Sequence, residues 1–262
     1  MPWDAAELWV ASLDARGMPG AAVRLAGGPD DAVFQPQWSP DGALFFVAER
    51  TGWWNLYAWR DGSVTALHPM AAEFGLPMWQ FSAGTYAVES ADRLICSYVE
   101  HGETRLATLD VGSGELTAIK TPYSDFGFSG PRVADGKVVF VGASASVAPE
   151  LVMLEIAGGA TSVIRRSTDL TIDDRYISQQ RVIEFPTEGG LTAYAFYYPP
   201  HNQDYRAPAS EKPPLLVLSH GGPTGATSEV LDLGIQYWTS RGIAVADVNY
   251  GGSTGFGRAY RQ

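Results

Sequence analysis

Four strand-like segments recur at nearly even spacing in the first two-thirds of the chain. They begin at Leu8 (LWVASLD), Leu56 (LYAWRDG), Leu106 (LATLDVGSG) and Leu151 (LVMLEIAGG), at intervals of 48, 50 and 45 residues. A period of about 40–50 residues in a β-rich chain is that of a propeller, in which each repeat is one four-stranded blade. A second set of marks has the form of a hairpin opening: Trp38-Ser39-Pro40-Asp41-Gly42, Trp79-Gln80-Phe81-Ser82-Ala83-Gly84 and Pro131-Arg132-Val133-Ala134-Asp135-Gly136. Turn pairs at Asp41-Gly42, Asp61-Gly62, Ser113-Gly114 and Asp135-Gly136 supply the positive φ of tight hairpins. Residues 1–170 therefore read as a partial β-propeller of three to four blades, with a β-sandwich as the competing arrangement. Since closed propellers have four to eight blades, the chain reads as beginning inside a larger ring. Seven of the eight tryptophans lie in the first 79 residues. Packing between blades accounts for them, with one of Trp53 and Trp54 expected to face solvent because adjacent strand residues point opposite ways.

The pattern changes after residue 170. Segments 180–184 (QRVIE) and 191–198 (LTAYAFYY) flank Pro186-Thr187-Glu188-Gly189-Gly190 and predict a hairpin. The apolar run 215–219 (LLVLS) predicts a strand buried on both faces. Residues 229–241 predict a helix with Leu231, Ile235 and Trp238 on one face and Gly242 at its end, and 243–248 predict another buried strand. Strand, helix and buried strand together make an α/β unit. Residues 171–262 read as the N-terminal part of an α/β-hydrolase fold.

The candidate chemistry lies where the first of these strands ends. In His220-Gly221-Gly222-Pro223 bare backbone reaches the C-terminal edge of a sheet, and glycine N–H groups can approach a substrate oxygen closely. α/β-Hydrolases use such a loop as half of an oxyanion hole, although a plain Gly-rich turn has the same appearance. Gly251-Gly252-Ser253-Thr254-Gly255 formally satisfies the nucleophile pattern G-x-S-x-G. It follows the wrong strand, and neither His nor Asp comes after Ser253, so it reads as a loop. Asp173, Asp174 and Glu188 read as solvated loop carboxylates rather than an acid–base pair. The four histidines are scattered and the phosphate-binding glycine patterns do not occur, so no metal, nucleotide or other cofactor is expected. Cys96 stands alone in an apolar run and reads as a small core residue.

The net charge of −11 makes nucleic acid an improbable partner. No apolar run has the length of a membrane span, and the N-terminus lacks the features of a secretion signal. A soluble cytoplasmic protein with no membrane partner is expected.

Taken together, the WSPDG repeat mark, IEFPTEGGLTAYAFYYPP, LVLSHGGPTG and YWTSRGIAVADVNYGGSTGFGRAYR resemble the prolyl oligopeptidase family of serine peptidases. The likeness is greatest to its dipeptidyl aminopeptidase and acylaminoacyl-peptidase branch. The specific part covers residues 180–262, and the likeness over 1–170 is architectural. The resemblance implies a propeller capping an α/β-hydrolase, with a Ser-Asp-His triad that cleaves short peptides. It implies that the backbone of Gly221 and Gly222 helps form the oxyanion hole, that His220 holds that loop, and that Tyr250 lines the neighbouring one. It also places the nucleophile, the aspartate and the histidine beyond Gln262. An internal fragment, inactive by itself, is thus expected. Its substrate would be a short peptide, and self-association of the full-length protein is compatible with the reading. An HGG-type esterase and a non-catalytic propeller binding module are the alternatives.

Overall fold

A computed structural model describes residues 1–79, 81–222 and 224–262. Gln80 in the second hairpin mark and Pro223 in the His-Gly-Gly-Pro loop lie outside the described residues.

The chain opens with an antiparallel pair, β1 (Glu7–Val10) and β2 (Val23–Gly27). Three four-stranded antiparallel meanders follow, each in sequential order. The first is β3 (Val33–Trp38), β4 (Leu44–Ala48), β5 (Asn55–Arg60) and β6 (Ser63–Ala66). The second is β7 (Tyr86–Val88), β8 (Arg93–Glu100), β9 (Glu103–Asp110) and β10 (Leu116–Ala118). The third is β11 (Arg132–Ala134), β12 (Lys137–Ser144), β13 (Val147–Glu155) and β14 (Thr161–Arg166). Leu56, Leu106 and Leu151 fall on β5, β9 and β13, the third strand of each blade. The sequence period is therefore the blade period, and the array is a partial propeller.

Turn chemistry sets the hairpins. Asp61-Gly62, His101-Gly102 and Asp135-Gly136 each hold two consecutive residues at positive φ, the geometry whose twist matches paired strands. The second hairpin mark is misplaced by the sequence. Trp79–Gly84 precedes β7, and the turn equivalent to Gly42 and Gly136 is at residues 89–92, between β7 and β8.

Blades pack face to face, so their inner strands carry continuous apolar runs rather than alternation. On β4, Phe45 and Val47 join the cluster shared with the second blade, which includes Trp54, Phe74, Leu94, Cys96 and Leu109. Phe46 and Ala48 on the same strand face the other way, toward Ala26 of β2. Ile95, Leu106, Phe126, Phe140 and Leu154 fill the space between the second and third blades. Cys96 is fully buried, and that burial pushes its thiol up to about 12. The tryptophans do not all serve this packing. Trp54 is buried, whereas Trp9, Trp38 and Trp79 are more than half exposed. Neither Trp53 nor Trp54 is the exposed member of its pair, because Trp53 lies just before β5 and packs over Gly257 from the far end of the chain.

The last part forms one mixed sheet from β15 (Arg181–Pro186), β16 (Thr192–Tyr198), β17 (Leu215–Ser219) and β18 (Ala244–Asn249), in the order β15-β16-β18-β17. Only β17 and β18 are parallel, joined by a crossover that contains α1 (Leu233–Thr239). The helix is shorter than its apolar spacing suggests. Asp232 caps it, accepting from the N–H groups of Gly234 and Ile235, so Leu231 lies outside it. Its covered face is Ile235, Gln236 and Thr239, and Trp238 is exposed. Gly242, at φ +88°, follows the helix as expected.

β17 overturns an expectation. Leu216 and Leu218 pack against the sheet's core of Phe196, Tyr198, Ile235 and Val245, but Leu215 and Val217 are exposed on the opposite face. The strand is at the edge of the described sheet, and one of its faces carries no covering layer. β18 sits between two strands and is the more buried of the pair. A four-residue helix, α2 (Arg258–Arg261), ends the chain. No helix among the described residues is long and apolar enough to cross a membrane.

Candidate active-site loop

The two parallel strands end side by side, and their C-terminal ends carry the candidate site, the usual place for a ligand in such sheets. His220, Gly221 and Gly222 leave β17, while Tyr250 and the 251–257 loop leave β18. The loops are tied together. His220 Nε2 and Ser253 Oγ share a hydrogen bond of 2.7 Å. The His220 imidazole stacks on the Tyr250 ring, with centroids 4.5 Å apart and planes inclined by 16°. The Tyr250 hydroxyl donates to the carbonyl of Gly222 at 2.5 Å and lies 3.2 Å from that of His220. Thr254 N–H donates to Gly225 O at 2.8 Å.

Gly222 has φ +67°, a conformation that disfavours any side chain, whereas Gly221 has no such requirement. Neither N–H donates a hydrogen bond among the described residues, and both residues are exposed. Two such backbone donors at a strand end can donate to a developing oxyanion and stabilise its charge.

Ser253 is wholly buried, so its G-x-S-x-G setting presents no nucleophile to solvent. Although a serine and a histidine have come within hydrogen-bond distance, they lack the third member of a triad. The Nδ1 of His220 faces Gly221 O at 3.3 Å and the Tyr250 hydroxyl at 3.5 Å, not a carboxylate. The pair locks the two loops together.

Beside the loops, between the propeller sheets and the mixed sheet, lies a cavity of about 310 Å³. Trp79, Phe126, Phe128 and Phe256 form an aromatic wall, and residues 224–229 form the side next to the glycine loop. Trp79 Nε1 donates to Thr224 O at 3.3 Å, a link between residues 145 apart in sequence. Three carboxylates, Glu73, Asp125 and Glu229, also line the cavity, with no Lys, Arg or His. Burial raises the pKa of all three, and that of Glu73 reaches about 7. Asp173, Asp174 and Glu188 are exposed, as expected, and lie apart from this cavity. Among the described residues no three His, Cys, Asp or Glu side chains converge as a metal site.

The sequence reading missed a buried ion cluster next to the cavity. Glu49 accepts from Arg258 and Arg261, each at 2.5 Å, across more than 200 residues. The only local signal is a pair of arginines three apart after Gly257, and nothing in the spacing points to Glu49.

No protein-family model matches the sequence, and no curated protein does. Solved structures do. The chain is similar to a puromycin-hydrolysing peptidase of Mycobacterium tuberculosis, at 35% identity and a TM-score of 0.91, over 100% of this chain and 40% of that one. It is similar to a puromycin hydrolase at 39% identity and a TM-score of 0.90, with the same coverage. A prolyl endopeptidase structure shares the fold, at 14% identity and a TM-score of 0.72, over 99% of this chain and 36% of that one. The chain thus spans about 40% of the length of the first two. Over its whole length the chain is thus similar to puromycin-hydrolysing peptidases of the prolyl oligopeptidase family.

Proposed function

We propose that this chain is the propeller and oxyanion-loop portion of a serine peptidase that cleaves amide bonds in short peptides or small aminoacyl compounds. The observation that carries the reading is the pair of free N–H groups at Gly221 and Gly222, held at the C-terminal end of β17 beside an aromatic cavity. In this role they donate to the carbonyl oxygen as it becomes negative during attack by a serine. Loss of one such donor costs roughly 2.7–4 kcal/mol of transition-state stabilisation. His220, Tyr250 and Ser253 touch no substrate and keep the loop in register. The nucleophile, aspartate and histidine are supplied by sequence after Gln262. The blade array argues against the esterase alternative, whose members carry a small cap in place of a propeller.

Within this class, release from a free amino terminus fits better than acylaminoacyl release. A cavity with Asp125 and Glu229 in its wall and no Lys, Arg or His among its described lining residues suits an ammonium group better than a neutral acyl group.

Sequencing the coding DNA past the codon for Gln262 tests the reading. An open frame with G-x-S-x-G-G, then Asp and His, is the expected result. A stop codon would overturn the peptidase reading and favour the binding module. The longer product should then cleave aminoacyl chromogenic amides faster than their N-acetyl counterparts.

A further inference from the structure

Helix α2 touches the mixed sheet through Tyr260, whose ring packs on Tyr194 of β16 and whose hydroxyl donates to Asn249 O at 2.6 Å. Its arginines bolt it to the propeller as well. Glu49, at the end of β4, has a side chain with 0% exposure and takes both Arg258 and Arg261. Glu73 accepts from the N–H of Gly257 at 3.0 Å and from that of Trp54 at 2.9 Å. Arg258 N–H donates to Gly52 O at 2.8 Å, and the Arg261 guanidinium lies 4.5 Å from the centre of the Trp54 ring. The other end of the same segment holds the glycine loop, through Tyr250 to Gly222, Ser253 to His220 and Thr254 to Gly225. One stretch of a dozen residues therefore joins two buried propeller carboxylates to the oxyanion loop.

We infer that Glu49 and Glu73 are positioning residues, which set the conformation of the His220-Gly221-Gly222 loop through the 250–261 segment. Stability alone explains such a cluster poorly, because the desolvation cost of buried ion pairs offsets most of their attraction. Its geometry is specific: both oxygens of Glu49 are directed at α2, and Glu73 divides its two oxygens between the backbone leading into α2 and the propeller's Trp54 N–H. The assignment of an oxyanion role to the loop rests on the function proposed above, whereas the coupling does not.

The test uses Glu49→Gln in the 262-residue chain, followed by NMR. The expected result is amide exchange at Thr254 faster by about tenfold or more, together with a shifted His220 imidazole ¹⁵N signal. The core amides of Ile95 and Ala107 stay protected. Faster exchange at Gly257 with Thr254 and His220 unchanged would overturn the inference, since α2 would then be loosened without consequence for the loop. Arg261→Lys, which keeps the charge but loses the forked geometry, serves if the first variant does not fold. The same two signals should move in it, and their constancy would equally overturn the coupling. In the longer protein, kcat should fall with KM nearly constant. A stop codon after Gln262 would remove the oxyanion role and leave the measured coupling intact, so the two failures are distinguishable.

Discussion

Ser253 Oγ and His220 Nε2 lie 2.7 Å apart although 33 residues separate them in sequence. That bond joins the loops after β17 and β18, and it places a serine of nucleophile-like sequence where no substrate can reach it. Ser253→Ala is accordingly expected to loosen the glycine loop without abolishing catalysis in the longer protein. Single-turnover assays should show about a tenfold loss, against the far larger loss that follows removal of a triad serine. A fluorophosphonate probe should leave Ser253 unlabelled, and labelling there would contradict the assignment.

Glu73 should make stability fall as pH rises. Burial lifts its pKa from the ordinary carboxylate value to about 7, against the pull of Arg261 and of the Trp54 and Gly257 N–H groups and with the repulsion of Glu49. A carboxyl whose folded pKa lies above its unfolded one favours the folded state at low pH. That contribution is full below about pH 4.5 and is lost as pH rises through about 7. Its magnitude is about 3 kcal/mol. Urea midpoints at pH 5 and pH 8 should differ more in the wild type than in Glu73→Gln.

Gly222→Ala and Gly221→Ala separate strain from crowding. An added Cβ meets nothing within 4 Å at either position, but Gly222 has φ +67°. Alanine at 222 should cost about 1–2 kcal/mol and disturb the carbonyl that Tyr250 holds, while alanine at 221 should be close to neutral in thermal melting.

Phe45→Ala should cost about 3–5 kcal/mol by denaturant titration. Its ring is fully buried between the first and second four-stranded blades, where neighbours from two sheets cannot both collapse into the space.

Cys96 should resist maleimide in the folded chain and react on denaturation. The thiol is fully buried and its pKa is pushed up to about 12, so both thiolate and access are lacking until the second blade opens.

Much of the propeller is legible in the sequence because its rules are local. Asp61-Gly62 and Asp135-Gly136 adopt the positive φ values that their types favour, and the apolar run Leu44–Ala48 is buried on both faces because the first blade lies between the β1–β2 pair and the second blade. The repeat at Leu56, Leu106 and Leu151 marks the same strand of successive blades. Where two neighbouring segments compete, local reading fails. Trp79–Gly84 resembles a hairpin opening but precedes its blade, and Asp232 caps α1 later than its apolar spacing indicates.

The sequence alone determined the blade period, the Asp61-Gly62 and Asp135-Gly136 turns, the strand–helix–strand unit and the glycine loop within it, because each depends on residues close together in the chain. Tertiary structure alone decided that Leu215 and Val217 are exposed, that Ser253 meets His220, and that Glu49 meets Arg258 and Arg261. Those outcomes depend on which surfaces are brought together across tens to hundreds of residues. The pairing of a buried charge is set by desolvation at that interface, and no local pattern encodes it.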